Sequence, residues 1–186
     1  MEQVYQLAQG RRLRVLYPRE RIDAEISRLA VEINAAYAGE LLLVVVVLKG
    51  ALFFAADLLR ALRIPVEMDF VKLSSYQGTQ STGKVLLQKD LDVDVAGRNV
   101  LIVEDIVDTG LTLAFLKGIL LQRGAKRLGV CTLIDKQQHR RVELTPEFTG
   151  ISCCGGFLVG YGLDLDERMR ELPAIYEVIE NNTEVE

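Results

Sequence analysis

The chain is poor in the side chains from which most reactive centres are built. Its 186 residues include one histidine and three cysteines. A single imidazole argues against zinc chemistry, which draws on several nitrogen or sulfur ligands. His139 sits in a charged loop with no evident partner, so a Cys–His nucleophile is not expected either. Cys131, Cys153 and Cys154 make an odd set. Adjacent cysteines rarely bridge and one thiol would be left over, so reduced thiols and a cytoplasmic setting are expected. Basic charge is not in surplus. Lys and Arg number 22 against 26 Asp and Glu, a net charge of −4, so no nucleic-acid partner is expected. The basic run from Lys136 to Arg141 is short and suits one small anionic ligand. Long hydrophobic runs are missing as well: Leu41 to Leu48 falls far below the roughly twenty residues that cross a bilayer. No apolar stretch follows Met1, so neither a membrane anchor nor a secretory leader is expected. Internal repeats and low-complexity segments are also missing.

What is present is an ordinary soluble α/β composition, 49% hydrophobic and 26% charged, of a length that fits one domain spanning residues 1–186. The most informative stretch runs from Asn99 to Thr112, NVLIVEDIVDTGLT. Val100 to Val103 is apolar and β-branched, the mark of a strand buried on both faces of a parallel sheet. Glu104 and Asp105 follow at once. Asp108 then precedes Thr109, Gly110, Leu111 and Thr112, and an apolar helical pattern begins at Leu113. Backbone N–H groups at a helix start bind phosphate oxygens, and the helix dipole favours their charge. The glycine permits close approach of the backbone. Carboxylates are wrong for phosphate but suit sugar hydroxyls and a magnesium ion. Helix capping alone would account for one such residue, not for three acids, a glycine and two threonines in register behind a strand.

The rest of the chain repeats the strand–loop–helix theme. A short strand is expected around Leu13 to Tyr17. Ile22, Ile26, Leu29 and Ile33 recur at helical spacing, with Gly39 as the terminating cap. Leu41 to Leu48 reads as a buried central strand, followed by Lys49, Gly50 and a helix over Leu52 to Leu62. Pro65 to Leu73 is a further strand candidate. Ser74 to Lys84 turns polar and small, Val85 to Gln88 resumes as strand, and Leu91 to Gly97 is an acidic turn. After the central stretch, Leu113, Leu116, Leu120 and Leu121 line one helix face that ends near Gly124. Leu128 to Ile134 is the next strand and delivers Asp135 and Lys136 to the same sheet edge, where open α/β sheets bind their ligands. Gly150 to Gly156 reads as a small-residue connector, Phe157 to Tyr161 as a final short strand, and the tail from Glu180 as frayed. Taken singly, Lys49 and Lys136 would pass for solvated lysines and Phe157 for core packing.

The Asn99–Thr112 stretch closely resembles the 5-phosphoribosyl 1-pyrophosphate (PRPP) signature of type I phosphoribosyltransferases, and within them the hypoxanthine-guanine branch. The likeness extends in one order from about Tyr5 to Val178. It implies a type I phosphoribosyltransferase fold of the α/β class: a mostly parallel central sheet of about five strands flanked by helices. A small hood would come from about residues 1–18 and 137–186. It implies that Lys49, Gly50 and Arg170 meet the pyrophosphate, in a loop where the bond before the lysine is often cis. Glu104 and Asp105 would hold the ribose hydroxyls, and Asp108, Thr109, Gly110, Leu111 and Thr112 would complete the PRPP site. Asp108 would be the general base or acid near N7 of the base. Lys136, Phe157, Leu158 and Asp164 would line the base side, with Lys136 donating to the 6-oxygen, Phe157 stacking and Leu158 using its backbone. Asp164, with Glu104 and Asp105, would bind Mg2+. Ser75 and Tyr76 would stand at the base of a lid that excludes water from the reacting centre. A homodimer or homotetramer is implied in the same way.

Two departures from the family pattern bear on detail. Cys153-Cys154-Gly155-Gly156 replaces a proline and polar residues ahead of Phe157, which leaves the preference among hypoxanthine, guanine and xanthine open. Gln77 precedes Gly78 where a glycine often follows the tyrosine directly. Lys136 and Asp108 argue against adenine. A PRPP-sensing, RNA-binding regulator on the same fold would need a basic face that this acidic chain lacks.

Overall fold

A computed structural model describes residues 4–6, 12–75 and 85–179. The elements in chain order are β1 (Val4–Gln6), β2 (Arg12–Tyr17), α1 (Arg19–Ala36), β3 (Leu42–Leu48), α2 (Leu52–Ala61), β4 (Val66–Ser75), β5 (Val85–Lys89), β6 (Asn99–Val107), α3 (Leu111–Gln122), β7 (Arg127–Lys136), β8 (Phe148–Cys153), β9 (Leu158–Val159) and β10 (Ile175–Ile179).

Strands β5-β4-β3-β6-β7-β8 form one sheet in that order. All pairs are parallel except the β4–β5 edge. The centre is β3, whose run LLVVVV is buried along its length. Its alternate side chains point to opposite faces, as a pleated strand requires. Val44 and Val46 pack with Ile22, Leu29, Phe54 and Leu58 of α1 and α2. Leu43, Val45 and Val47 pack with Leu113, Leu116 and Leu120 of α3. The β-branched run is therefore what a strand covered by helices on both faces needs.

A second sheet, β1-β2-β10-β9, is antiparallel and draws its strands from the two segments expected to make a hood, residues 1–18 and 137–186. It packs on its own small core of Leu13, Val159, Ala174 and Tyr176. No sequence signal had marked β1 or β10.

Several boundaries differ from expectation. The main sheet has six strands, because residues 148–153 form β8 on the β7 edge instead of a connector; register pairs Cys131 with Phe148 and Ile134 with Ile151. Gly150 fits there because a side chain would stand 2.7 Å from the Leu133 carbonyl oxygen. Helix α1 ends at Ala36 with Tyr37 as its cap, and Gly39 takes the left-handed turn just beyond (φ 77°). Leu121 is exposed and does not join the buried face of α3. The strand expected at Phe157–Tyr161 is only Leu158–Val159 and is not the last, because β10 follows it; Tyr161 turns away at φ 49°. The polar segment 76–84, with Tyr76, and the tail from Glu180 lie outside the described residues. Ser75 ends β4.

One tie between hood and core was not legible in the sequence. The Tyr161 hydroxyl donates to Asp57 Oδ2 of α2 (2.7 Å), and Arg19 at the start of α1 donates to the same oxygen (2.8 Å). Burial alone would push the Asp57 carboxyl up, but the bonds from Tyr161 and Arg19 outweigh it and hold the group below its ordinary range. Asp57→Ala is expected to lower the unfolding free energy by about 1–3 kcal/mol, the range for hydrogen bonds to a charged group. A carboxyl whose folded value is depressed stabilises above its unfolded value, about pH 4, and loses that contribution as pH falls through the folded one. The gap between parent and variant in urea titrations should therefore be full at pH 7 and close in acid. Equal midpoints at pH 7 would mean that the hood is held without Asp57.

Candidate active site

The site lies at the carboxyl edge of the main sheet, and strand lengths place it there. The pairing of β3 with β6 stops at Val46–Val103, whereas β6 stays paired with β7 as far as Val107–Asp135. The carboxyl half of β6 thus carries Glu104 and Asp105 past the last β3–β6 pair and along a cavity of about 290 Å³. The sequence pattern had put both acids after the strand; they are inside it. Gly50, Asp108, Thr109, Gly110 and Thr112 line the same cavity.

Glu104 and Asp105 are both buried. Burial pushes the Glu104 carboxyl well above its ordinary range, and the Asp105 charge adds to the effect. Asp105 is also raised by burial, against the pull of its bonds to Glu104 and to the Ile106 N–H, which donates to Oδ1 at 2.9 Å. Among the described residues no ion pair reaches either acid. Adjacent buried acids without a cation are relieved by hydroxyl donors or by a hard divalent ion. Gly50 allows this packing: a side chain there would stand 1.7 Å from Asp105 Oδ2.

Helix α3 opens on Gly110 at φ 79°, a conformation that favours glycine, and no side chain caps the helix. Among the described residues, the one side-chain bond at this end runs from the Leu111 N–H to the Thr109 hydroxyl, at 3.5 Å. The first-turn amides therefore face the cavity mouth as an anion cradle. Asp108 is half-buried, and its Oδ1 lies 3.2 Å from Nδ1 of His139. This corrects the expectation that His139 has no partner; the two residues are 31 positions apart, and only the return of the chain after β7 joins them.

Lys49, Lys136, Phe157, Leu158, Asp164 and Arg170 are not among the residues that line this cavity. The Leu48–Lys49 peptide bond is cis. Lys49 Nζ donates to Glu167 Oε2 at 2.9 Å, and Arg170 donates to the same oxygen at 3.2 Å. The bonds from Lys49 and then Arg170 hold the Glu167 carboxyl below its ordinary range. Sequence reasoning had not singled out Glu167. Arg170 also pairs with Asp164 at 2.8 Å and donates to the Gly162 carbonyl at 2.7 Å, while its Nε is buried without a partner. Asp164 accepts the Glu167 N–H at 2.9 Å. Asp164 therefore pairs with the Arg170 guanidinium, whose charge also acts on Asp105. Among the described residues no three acidic, histidine or cysteine side chains converge into a protein-only metal cage.

Lys136 is buried and donates to the Gly156 carbonyl. Gly156 takes φ 81°, and a side chain on it would stand 2.6 Å from Glu177 Oε1. The diglycine is thus a fitted corner. Phe157 is 52% exposed, which rules out the core-packing reading, and Leu158 is buried in β9 beside Glu177.

Comparison with known proteins agrees with this geometry. The phosphoribosyl transferase domain family matches residues 16–166. The hypoxanthine-guanine phosphoribosyltransferase of Aquifex aeolicus is 43% identical over 171 residues, 91% of this chain and 96% of its own. The hypoxanthine phosphoribosyltransferase of Salmonella typhimurium is 42% identical over 168 residues, 89% of this chain and 94% of its own. A crystal structure of a hypoxanthine-guanine phosphoribosyltransferase from Bacillus anthracis superposes with a TM-score of 0.83 at 44% identity, covering 89% of this chain and 97% of that one.

Proposed function

The chain belongs to the hypoxanthine-guanine phosphoribosyltransferase family, and we propose that it transfers the 5-phosphoribosyl group from PRPP to N9 of hypoxanthine, and of guanine, releasing pyrophosphate. The observation that carries this reading is the single cavity in which Glu104, Asp105 and Asp108 stand ahead of the glycine-opened helix α3. A purine salvage role in the cytoplasm follows from that chemistry.

The uncapped start of α3 and the Thr109 and Thr112 hydroxyls bind the 5-phosphate. Glu104 and Asp105 accept from the ribose hydroxyls and, being hard-oxygen donors, fit Mg2+ shared with substrate oxygens; Asp164 is a second candidate donor. Magnesium usually keeps several waters and takes only one or two carboxylates, so a two-acid site suffices. The bound ion would supply charge neutralisation for the departing pyrophosphate. Lys49 and Arg170, which share Glu167, would exchange that carboxylate for pyrophosphate oxygens. On the base side Lys136 donates to the 6-oxygen, the exposed Phe157 ring stacks, and the Leu158 backbone reads the base edge. The residue types at Lys136 and Asp108 suit an oxo group and a ring N–H, not adenine. An assembly of two or four copies belongs to the same reading and rests on the family resemblance.

The test is nucleotide formation from PRPP and Mg2+ with hypoxanthine, guanine, xanthine and adenine in parallel. Product with hypoxanthine or guanine, none with adenine, and loss of activity when EDTA removes the metal are expected. Faster turnover with xanthine would reassign the base; no product with any base, despite PRPP binding, would end the enzyme reading.

A further inference from the structure

The one histidine of the chain has no role in the chemistry assigned so far, yet its position is fixed from several sides. Arg140, the next residue, donates Nε–H to the Asp108 carbonyl at 3.0 Å. Arg141 donates its backbone N–H to the Thr109 carbonyl at 2.9 Å. The Arg140 guanidinium also pairs with Asp135 and donates to the Leu144 carbonyl. These bonds seat residues 139–141 over the loop that carries Asp108, and a side chain on Gly110 would already stand 3.0 Å from Arg140 Cδ. His139 itself packs little. Its side chain is 64% exposed and that of Asp108 44%, so solvent screens the pair and it adds little to stability. A weak contact held in place by stronger ones points to chemistry.

We propose that His139 is a proton-relay and positioning residue for Asp108. The proposal rests on Asp108 being the group that takes the proton from the purine. The C1–N9 bond forms as the C1–O bond to pyrophosphate breaks, and the electron pair of that bond leaves with pyrophosphate. The ring proton displaced from the base passes to the Asp108 carboxylate. From there it goes to Nδ1 of the Nε2–H imidazole, the imidazolium releases its Nε2 proton to water, and proton exchange with solvent returns the ring to the Nε2–H tautomer. Asp108 is then a carboxylate again. Pyrophosphorolysis runs the same path backwards. Histidine is the side chain whose ordinary titration falls between pH 5 and 8, so it can both accept and release a proton near neutrality. The charged groups around the pair are Asp108 from the loop after β6, Arg140 and Arg141 on the same turn, and Asp135 at the end of β7 behind Arg140.

His139→Asn keeps a hydrogen-bonding amide near the Nδ1 position but cannot relay a proton. With full-length protein, PRPP, Mg2+ and hypoxanthine from pH 5.5 to 8.5, it should lower kcat about tenfold at pH 7 and leave the KM for PRPP unchanged. The parent's pH–rate profile should carry an acid-side limb that depends on the imidazole, and the variant should lack that limb. Free imidazole should restore turnover to His139→Ala in a concentration-dependent way. The one imidazole C2–H resonance should move on Asp108→Asn. A His139→Asn enzyme with the parent's kcat and pH profile overturns the relay. So does a loss that appears in the KM for PRPP and that imidazole does not restore. A parent that makes no nucleotide from any base overturns the underlying reading of the site instead.

Discussion

Asp108→Ala is expected to cut turnover with hypoxanthine about 10²–10³-fold, the usual weight of a positioned proton acceptor. PRPP affinity should change far less. The geometry separates the two functions. The phosphate cradle is built from backbone: Gly110 in the left-handed region, the first amides of α3, and the Asp108 and Thr109 carbonyls clamped by Arg140 and Arg141. None of these bonds uses the Asp108 carboxylate, whose one side-chain partner among the described residues is His139. Removing the carboxylate therefore leaves the loop held. Asp108→Asn keeps the shape and removes only the proton acceptor, so it should resemble the alanine variant in kcat and the parent in PRPP binding. The split between kcat and KM is the measurement. Unchanged turnover in Asp108→Ala would exclude the carboxylate from the reaction; a comparable loss of PRPP affinity would make it part of the loop's scaffold.

How much of this was legible beforehand depends on the range of the interaction involved. The β-branched runs that became β3, β6 and β7 announce themselves because a strand buried on both faces has no polar alternation to obscure it. The acids, glycine and threonines of residues 104–112 are local, and their order alone points to a phosphorylated sugar. Strand β8 was missed because Gly150, Cys153 and the following glycines look like a loop. In three dimensions Gly150 is small because Leu133 passes 2.7 Å from where its side chain would be. The Asp108–His139 contact, the Asp57–Tyr161 tie and the Glu167 bridge between Lys49 and Arg170 span 31, 104 and 118 positions at their widest. No periodicity or spacing rule reports such pairs. The residue types were visible and the meetings were not.

Gly162 shows the same limit and carries the second large expectation. It takes φ 103°, and a side chain there would stand 2.0 Å from the Gly50 carbonyl oxygen. Its N–H donates to the Arg170 carbonyl at 2.9 Å, and its own carbonyl accepts from the Arg170 guanidinium at 2.7 Å. Gly162 is therefore where the C-terminal segment bearing Asp164, Glu167 and Arg170 lies against the Lys49–Gly50 loop. The obstruction is main chain, which cannot rotate aside as a flexible side chain would. Gly162→Ala must displace one segment or the other, and the backbone conformation itself penalises a β-carbon. The expected loss is about 2–4 kcal/mol of unfolding free energy, or roughly 4–16 °C in the thermal midpoint at 2–4 °C per kcal/mol. Because either displacement moves Lys49 or Arg170, the KM for PRPP should rise at least about tenfold in whatever fraction folds. Gly39→Ala is the control, since a β-carbon there meets nothing within 4 Å although φ is 77°; it should lose some stability and keep the parent's KM. A Gly162→Ala protein that matches Gly39→Ala in both readouts would show that the two segments do not touch as described, and would detach Arg170 from the pyrophosphate side of the site.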